Sequence, residues 1–189
     1  STCQGGKTKP NGTILCHPPG YGKTLSTLVF LEKGVKMTSS TIQKSRFVVI
    51  APSSVLFGWF REWQKFSKFF SFQCFTPILS MTDIPLMADE WNDNGGVMVI
   101  SFDLMVTLKD SKKMKRYYLN FKNNADAVII DEMHLVKNIT SKRAKMVEAF
   151  LTPVKIGLTG TPLANSPTDF YNIVCLCLLY TSDAADDLG

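Results

Sequence analysis

The stretch Thr13-Ile-Leu-Cys-His-Pro-Pro-Gly-Tyr-Gly-Lys-Thr24 decides the fold. Its first four residues are β-branched or apolar and predict a short strand, while Lys23–Lys33 is a helix-length stretch. Between them, Gly20 and Gly22 allow the backbone to curl so that successive N–H groups point at phosphate oxygens. The N-terminus of the following helix adds a partial positive charge. A strand, a glycine-rich turn and a helix in this order predict a phosphate-binding loop.

The side chains of this loop suit a nucleoside triphosphate bound with Mg²⁺. Lys23 can reach the β- and γ-phosphates, and the Thr24 hydroxyl can ligate the metal. His17 stands where the general pattern GxxxxGK[ST] has glycine, so the strict motif fails and a glycine-rich turn that binds nothing stays an alternative. The predicted nucleotide-binding residues of the loop are Pro19, Gly20, Tyr21, Gly22, Lys23 and Thr24.

Apolar runs alternate with helix-length stretches along the whole chain, which predicts an α/β fold with a doubly wound, mostly parallel sheet. Runs such as Arg46–Ala51 are nearly continuous in Val and Ile, as expected of strands buried on both faces. The predicted strands are Thr13–Cys16, Phe47–Ala51, Phe72–Pro77, Val97–Phe102, Ala127–Asp131 and Lys155–Thr159. The predicted helices are Lys23–Lys33, Ser54–Phe66, Leu86–Asn92, Leu104–Tyr118, Ser141–Phe150 and Thr168–Leu178.

A second chemical signal is the apolar strand 127–130, which ends in two carboxylates. Asp131 would hold Mg²⁺, and Glu132 would polarise the water that attacks the γ-phosphate. Adjacent carboxylates at a buried strand end repel each other, and a cation facing the phosphate loop removes that cost. A capping Asp-Glu pair on a surface turn is the alternative. His134 is predicted to contact the nucleotide site, although an ordinary core or surface imidazole is the simpler interpretation.

Composition narrows the class of protein. A chain of 189 residues that is 45% hydrophobic is expected to form one globular domain with its own core. No apolar run approaches the ~18 residues of a membrane span, and the N-terminus lacks the apolar core of a signal peptide. Five cysteines without a CxxC pair favour a reducing compartment over a disulfide framework or zinc site. Two histidines exclude a His-rich metal site.

The charge is compatible with a nucleic-acid partner. Asp183, Asp186 and Asp187 contribute −3 to the net charge of +5, which leaves +8 on residues 1–182. A moderately basic domain weakly favours nucleic acid, and ordinary surface lysines explain it equally well. The basic run Lys109–Arg116 is predicted to be a solvated face formed by loops or helix ends.

Four stretches follow one another in the chain: HPPGYGKTLST (17–27), VVIAPSS (48–54) with Trp59, Glu62 and Phe66, IDEMHLVKN (130–138) and LTGTPLAN (158–165). Taken in order, they resemble the first motor lobe of superfamily-two helicases, and more narrowly the SNF-type (Swi/Snf) chromatin-remodelling ATPases. Coverage runs from about Gly12 to about Cys175. His17 and the run 172–176 are similar to the ATRX and plant CLASSY branches of that family.

The resemblance implies a RecA-like P-loop NTPase lobe that binds ATP and Mg²⁺. Pro52, Ser53 and Ser101 would lie along a nucleic-acid strand, although Ser101 is equally explained as the end of a strand. Thr159, Gly160 and Thr161 would relay the nucleotide state to the DNA groove. Trp59 is expected in the core rather than as a platform for stacking bases. Met133 stands where the family usually has Ala or Gly, and Ala164 where it usually has Gln.

The function implied is that of a DNA-dependent ATPase, a fragment of an ATP-driven translocase on double-stranded DNA that remodels chromatin. Its partners would be DNA, contacted through phosphates, and nucleosomes or chromatin subunits, with no membrane. The location would be nuclear in a eukaryote and otherwise cytoplasmic, in soluble form. Because the family's second lobe supplies arginines that stabilise the transferring charge, we expect this chain alone to bind nucleotide weakly and to hydrolyse negligible amounts.

Three segments are expected along the chain: a truncated N-terminal segment (1–11), the ATP-binding lobe (12–176) and a non-native tail (177–189). The run Cys177-Leu-Leu-Tyr-Thr-Ser-Asp-Ala-Ala-Asp186 resembles a translated transposase adapter of the kind used in sequencing libraries. A genuine acidic tail is the alternative. Competing functions are a viral or mobile-element superfamily-two helicase, a nucleotide- or DNA-binding module without activity and, more distantly, a small-molecule P-loop kinase.

Overall fold

The computed structural model of the protein describes residues 11–18, 20–38, 44–72, 75–160 and 166–178. Their six strands form one sheet in the order β1-β6-β5-β2-β4-β3, and every neighbouring pair is parallel. The strands are β1 (Asn11–Cys16), β2 (Arg46–Ala51), β3 (Phe75–Ile78), β4 (Gly96–Ser101), β5 (Ala127–Ile130) and β6 (Val154–Thr159). Each predicted strand is present, with bounds that differ by a few residues at most, and Gln73 and Cys74 of the predicted strand Phe72–Pro77 lie outside the described residues.

The described residues form seven helices, of which six lie between strands and the seventh follows β6. They are α1 (Lys23–Thr38), α2 (Leu56–Phe66), α3 (Ile84–Asn94), α4 (Phe102–Asp110), α5 (Lys115–Asn124), α6 (Lys142–Glu148) and α7 (Pro167–Leu178). Short 3₁₀ turns lie at Ser53–Val55, Ser67–Phe69 and Met133–Val136. No helix in the described part of the chain is both long enough and apolar enough to cross a membrane.

The single helix predicted over Leu104–Tyr118 is wrong, because the structure has two helices there, α4 and α5. Ser111 takes up an extended conformation (φ −81°, ψ 123°) and ends α4. Its hydroxyl then accepts a hydrogen bond from the Met114 N–H at 3.2 Å. A serine side chain that bonds the neighbouring backbone competes with helix continuation, so the polar run separates two helices. The predicted loops or helix ends in Lys109–Arg116 are therefore both present.

Helices cover both faces of the sheet. In β2, Val48 and Ile50 face the core formed with α3 to α7, whereas Phe47 and Val49 face the core formed with α1 and α2. This alternation follows from the two-residue period of a strand. All four residues are at most 5% exposed, so β2 is buried on both sides as its Val/Ile run predicts. The predicted doubly wound α/β fold is confirmed.

Because all strands are parallel, their carboxyl ends share one edge of the sheet, where ligands of such folds bind. The chain leaves β1 into the glycine loop, β5 into Asp131 and Glu132, and β6 into Gly160. The neighbouring strands β2 and β4 lead into the segments proposed to contact nucleic acid. The β1-β6-β5 order thus places the loop and the acidic pair two strands apart on the same edge.

Candidate nucleotide-binding site

The predicted phosphate loop leaves the sheet between β1 and α1. Its first residue is joined to the neighbouring strand, because the His17 N–H donates to the Thr159 carbonyl at 3.1 Å. Gly20 (φ 85°) and Gly22 (φ 73°) both have left-handed backbone conformations. A Cβ added at either position would meet no heavy atom within 4 Å, so it is backbone conformation and not crowding that favours glycine. Pro19 lies outside the described residues.

Lys23 and Thr24 open α1, as the motif requires. The Lys23 ammonium donates to the His17 carbonyl at 2.8 Å, which closes the loop on itself through a neutral acceptor. Phosphate oxygens are stronger partners for an ammonium than a backbone carbonyl is. The first turn of α1 has no acidic residue, so the positive end of the helix dipole is available to an anion. The Thr27 hydroxyl donates to the Lys23 carbonyl at 2.8 Å and stabilises this turn.

Asp131 follows β5 and is buried, with 7% of its surface exposed. One carboxylate oxygen, Oδ1, accepts a hydrogen bond from the Glu132 N–H at 2.9 Å, and Oδ2 accepts one from the Trp59 indole at 2.8 Å. Its own N–H donates to the Ile50 carbonyl at 2.9 Å. Both donors to the carboxylate are neutral, and no described side chain forms an ion pair with it. A buried carboxylate without a cation is costly, so its surroundings suit Mg²⁺.

Trp59 is a core residue as predicted, with 1% of its surface exposed. Its hydrogen bond to Asp131 was missed by sequence reasoning. The only available signal is a tryptophan on the buried face of α2, since an indole N–H inside a core usually finds an acceptor. Trp59 and Asp131 are 72 positions apart in the chain, and only the sheet order brings them together.

Glu132 is the only non-glycine residue with positive φ among those the structure describes (φ 49°, ψ 52°). This left-handed conformation costs roughly 1–2 kcal/mol for a residue with a side chain. It turns the chain sharply from β5 into the 3₁₀ turn Met133–Val136. Glu132 Oε2 lies 3.3 Å from His134 Nδ1 without hydrogen-bond alignment, and both side chains are about one-third exposed. The predicted acid and imidazole are therefore neighbours.

The Met133 side chain packs against β6 and so fixes the position of the acidic segment. Its side chain is fully buried, and its sulfur lies 3.4 Å from the Cys177 sulfur of α7. A Cβ on Gly157 would lie 2.1 Å from the Met133 sulfur, so only glycine leaves room for this side chain. The departure of Met133 from the family's usual small residue is thus matched by Gly157 in the neighbouring strand. Burial also raises the pKa of the Cys177 thiol to about 12.

The 3₁₀ turn is tied to α7 by polar contacts as well. The Lys137 ammonium pairs with Asp169 at 3.0 Å, and the Asn172 amide donates to the Lys137 carbonyl at 3.0 Å. Helix α7 therefore holds the segment that follows the acidic pair. It includes Cys177 and Leu178, the first two residues of the predicted non-native tail, and the remaining tail residues lie outside the described ranges.

The predicted coupling segment lies beside the phosphate loop. Thr159 is 1% exposed and ends β6, paired in register with Cys16 at the end of β1. Its carbonyl receives the His17 N–H, which joins the two segments directly. Gly160 is half-buried, and Thr161 lies outside the described residues.

The residues predicted to contact nucleic acid lie at the ends of β2 and β4. Ser53 is exposed in a 3₁₀ turn, where the Pro52 carbonyl accepts the Val55 N–H at 3.1 Å. Ser101 is 9% exposed, and its hydroxyl accepts the Leu104 N–H at 3.2 Å, which caps α4. Ser101 therefore ends a strand and caps a helix, and its contact with nucleic acid stays a prediction. The two strand ends are adjacent, since Ala51 pairs with Ser101.

The described residues contain no group of three or more His, Cys, Asp or Glu side chains that could hold a metal ion. Of the predicted ligands, Asp131 and Thr24 are the two that this edge of the sheet presents. A cation held by so few protein groups takes its remaining ligands from substrate phosphates and water, which is the usual manner of Mg²⁺ in such sites. The glycine loop, the lysine at the helix start and the buried aspartate together define a P-loop NTPase lobe.

Comparison with known proteins identifies the family. The model of the SNF2-related domain matches residues 4–183, so the chain belongs to the SNF2-related domain family. This confirms the resemblance predicted from the motifs.

The curated relatives that match this chain include proteins named ATRX. The chain is 31% identical over 188 residues to the transcriptional regulator ATRX homolog of Drosophila melanogaster, covering 92% of this chain and 14% of that protein. It is 26% identical over 181 residues to human transcriptional regulator ATRX, covering 89% of this chain and 7% of that protein. The chain therefore spans a small part of the length of these relatives.

A solved structure gives the same fold. The SWI2/SNF2 ATPase core of Sulfolobus solfataricus in complex with double-stranded DNA matches with a TM-score of 0.65 and 25% identity. The match covers 89% of this chain and 32% of that one, which is consistent with the first of two motor lobes. The RecA-like lobe predicted from the motifs is confirmed.

Proposed function

We propose that this chain is the ATP-binding lobe of a DNA-dependent ATPase that moves on double-stranded DNA and remodels chromatin. One observation carries the nucleotide assignment. The parallel sheet brings a glycine loop with a lysine and a buried aspartate without a cationic partner to the same edge. The loop supplies N–H donors and a cation for phosphates, and Asp131 supplies an anionic site for the metal.

The residues divide the work on ATP. The loop and Lys23 would bind the β- and γ-phosphates, and Thr24 and Asp131 would hold Mg²⁺, in part through water. When bound, the metal supplies positive charge that neutralises the phosphate oxygens. Glu132 orients the attacking water and accepts its proton, and the adjacent His134 contacts the γ-phosphate side of the site.

Binding of a fluorescent ATP analogue, followed by anisotropy with MgCl₂, tests the nucleotide site. Lys23→Ala should weaken binding about tenfold or more, because a charge-assisted hydrogen bond to phosphate is lost. Lys33→Ala is the matched control, since Lys33 is an exposed lysine of the same helix. Equal binding by the wild type and Lys23→Ala would overturn the assignment.

The proposal extends to DNA on separate grounds. Ser53 is exposed at the end of β2, next to the end of β4, and residues 1–182 carry a net charge of +8. The Sulfolobus relative was solved with double-stranded DNA. Nuclear location, chromatin partners and assignment to an ATRX-like branch are part of the proposal and are supported by the curated relatives.

The DNA part is tested in a protein that carries this lobe together with the rest of the motor. Duplex DNA should stimulate ATP hydrolysis, measured as phosphate release, and Lys23→Ala should abolish the stimulated rate. Hydrolysis that is equal with and without duplex would exclude a DNA-dependent ATPase, even if ATP binds.

A further inference from the structure

Two tryptophans on α2 have contrasting surroundings. The Trp59 indole N–H donates to Asp131 Oδ2 at 2.8 Å, inside the core. Trp63, one helical turn later, stacks on Phe75 with ring centroids 5.3 Å apart. Its indole nitrogen is buried yet has no hydrogen-bond partner among the described residues. The two residues share a helix and a chemical type, but only one of them contacts the predicted metal site.

Packing alone does not require tryptophan at position 59. The side chain lies in the apolar cluster formed by α1, α2 and one face of the sheet, where phenylalanine would also be buried. What the indole adds is a donor placed at the Asp131 carboxylate. An unpaired carboxylate oxygen at this depth would cost free energy, so the bond both satisfies Asp131 and limits its rotation.

The bond also leaves the carboxylate available to a cation. A carboxylate has about four lone-pair sites, and the two hydrogen bonds from the Trp59 indole and the Glu132 N–H occupy two of them, one on each oxygen. Because both donors are neutral, the negative charge is not cancelled. Groups that hold a metal-binding carboxylate in this way typically change metal affinity by about 10–100-fold when they are removed.

We infer that Trp59 is a positioning residue, which orients the Asp131 carboxylate toward the Mg²⁺ of bound Mg–ATP. The inference rests on the proposed nucleotide site. It assigns to α2 a part in metal binding, in addition to its part in the core. Trp59 acts through Asp131 and does not itself contact the nucleotide.

The test compares wild type, Trp59→Phe and Trp63→Phe by anisotropy of a fluorescent ATP analogue, once with MgCl₂ and once with EDTA. Trp59→Phe should lower affinity about tenfold with MgCl₂ and leave the affinity in EDTA unchanged. Trp63→Phe, which removes an indole N–H without a partner, should match the wild type in both media. Thermal melting followed by circular dichroism establishes that each variant is folded.

Three outcomes are separable. A wild-type affinity for the Mg²⁺ complex in Trp59→Phe would overturn the inference while leaving the nucleotide site intact. Equal loss in both media by a folded Trp59→Phe would also overturn it, because the effect would then lie in the loop or the core. A wild type that binds no nucleotide would instead refute the proposed function.

A second measurement applies if Trp59→Phe does not fold. In wild-type protein labelled with ¹⁵N, the assigned indole N–H signals report the bond directly. Addition of MgCl₂ to the ATP-bound protein should shift the Trp59 signal and leave the Trp63 signal in place. A Trp59 signal that does not respond to MgCl₂ would overturn the inference.

Discussion

The two halves of the candidate ATP site differ in how firmly the chain holds them. In the phosphate loop, Gly20, Tyr21 and Gly22 are exposed, and the described contacts are a few backbone bonds and the Lys23 ammonium on a carbonyl. In the acidic segment, Asp131 and Met133 are buried and are anchored to α2, β6 and α7. The phosphate loop therefore has few contacts with the rest of the chain, whereas the acidic segment is held by buried contacts.

The difference has a physical cause. A phosphate can supply the partners of exposed N–H groups when it binds, so the loop needs few partners of its own. A buried carboxylate has no such option, because each oxygen needs a donor even without ligand. Charge that is pre-oriented in a partly dry site also acts more strongly on the reaction than charge that must reorganise.

The largest expected effect comes from a substitution at Gly157, which packs against Met133 of the acidic segment. In Gly157→Val the new side chain would overlap the Met133 sulfur, since even a Cβ lies 2.1 Å from it. We expect a loss of about 3 kcal/mol in the free energy of unfolding, measured in urea. Adding Met133→Ala should restore part of it. The control Gly58→Ala, with open space around the glycine, should not destabilise the chain. An unaltered midpoint in Gly157→Val would contradict the packing.

A smaller effect concerns backbone strain at Glu132 in the acidic segment. Glu132 has a left-handed conformation that glycine adopts freely and alanine does not. The Glu132→Gly variant should therefore be more stable than Glu132→Ala by about 1 kcal/mol, measured by urea unfolding. Because both variants lack the carboxylate, the difference isolates the backbone. Equal stability would show that the segment is not strained.

The phosphate loop should respond in the opposite way, with a clear loss of ATP affinity and little loss of stability. Gly22→Ala places a side chain at positive φ, yet nothing lies within 4 Å of the new Cβ. We expect a stability loss of only about 1 kcal/mol, because an exposed loop with few contacts can relax its backbone, and a clear loss of ATP affinity, because the curl of the loop changes. Melting and nucleotide titration on the same sample separate the two effects. A large drop in stability would mean that the loop is anchored after all.

The smallest effect is expected from the ion pair that joins Lys137, just after the acidic segment, to Asp169 of α7. The Lys137–Asp169 pair is partly exposed, so Asp169→Ala should cost about 0.5 kcal/mol. Hydrogen exchange should show faster opening at the 3₁₀ turn Met133–Val136 and no change in the phosphate loop. Asp110→Ala, which removes the more exposed pair with Lys142, is the control. Equal rates of hydrogen exchange at the turn in the two variants would show that the ion pair with α7 does not stabilise the turn.

Much of the fold could be predicted because strands that are buried on both faces consist of nearly continuous apolar residues. The Val/Ile runs predict β2 and β5, and parallel topology then places Pro52 and Asp131 on one edge. The division of α4 from α5 was not predicted, since apolar residues continue on both sides of Ser111. There a side-chain bond to the backbone prevails over the periodicity.

The supporting contacts of the site could not be predicted, for a different reason. The bond between Trp59 and Asp131 and the fit of Met133 to Gly157 each join segments far apart in the chain. They depend on which strands are neighbours and on side-chain shape at the contact. Motif spacing predicts which residues meet the ligand, whereas tertiary packing determines which residues hold them there.

A substitution of Asp131 shows whether the phosphate loop and the acidic segment form one Mg–ATP site. ATP affinity is measured with MgCl₂ and with EDTA for the wild type, Lys23→Ala and Asp131→Asn. We predict that Lys23→Ala loses affinity in both media, whereas Asp131→Asn loses it only with MgCl₂, because the amide keeps the shape of the side chain but loses the charge and one of the two accepted hydrogen bonds. An Asp131→Asn protein that binds Mg–ATP as tightly as the wild type would contradict a single Mg–ATP site formed by the phosphate loop and the acidic segment.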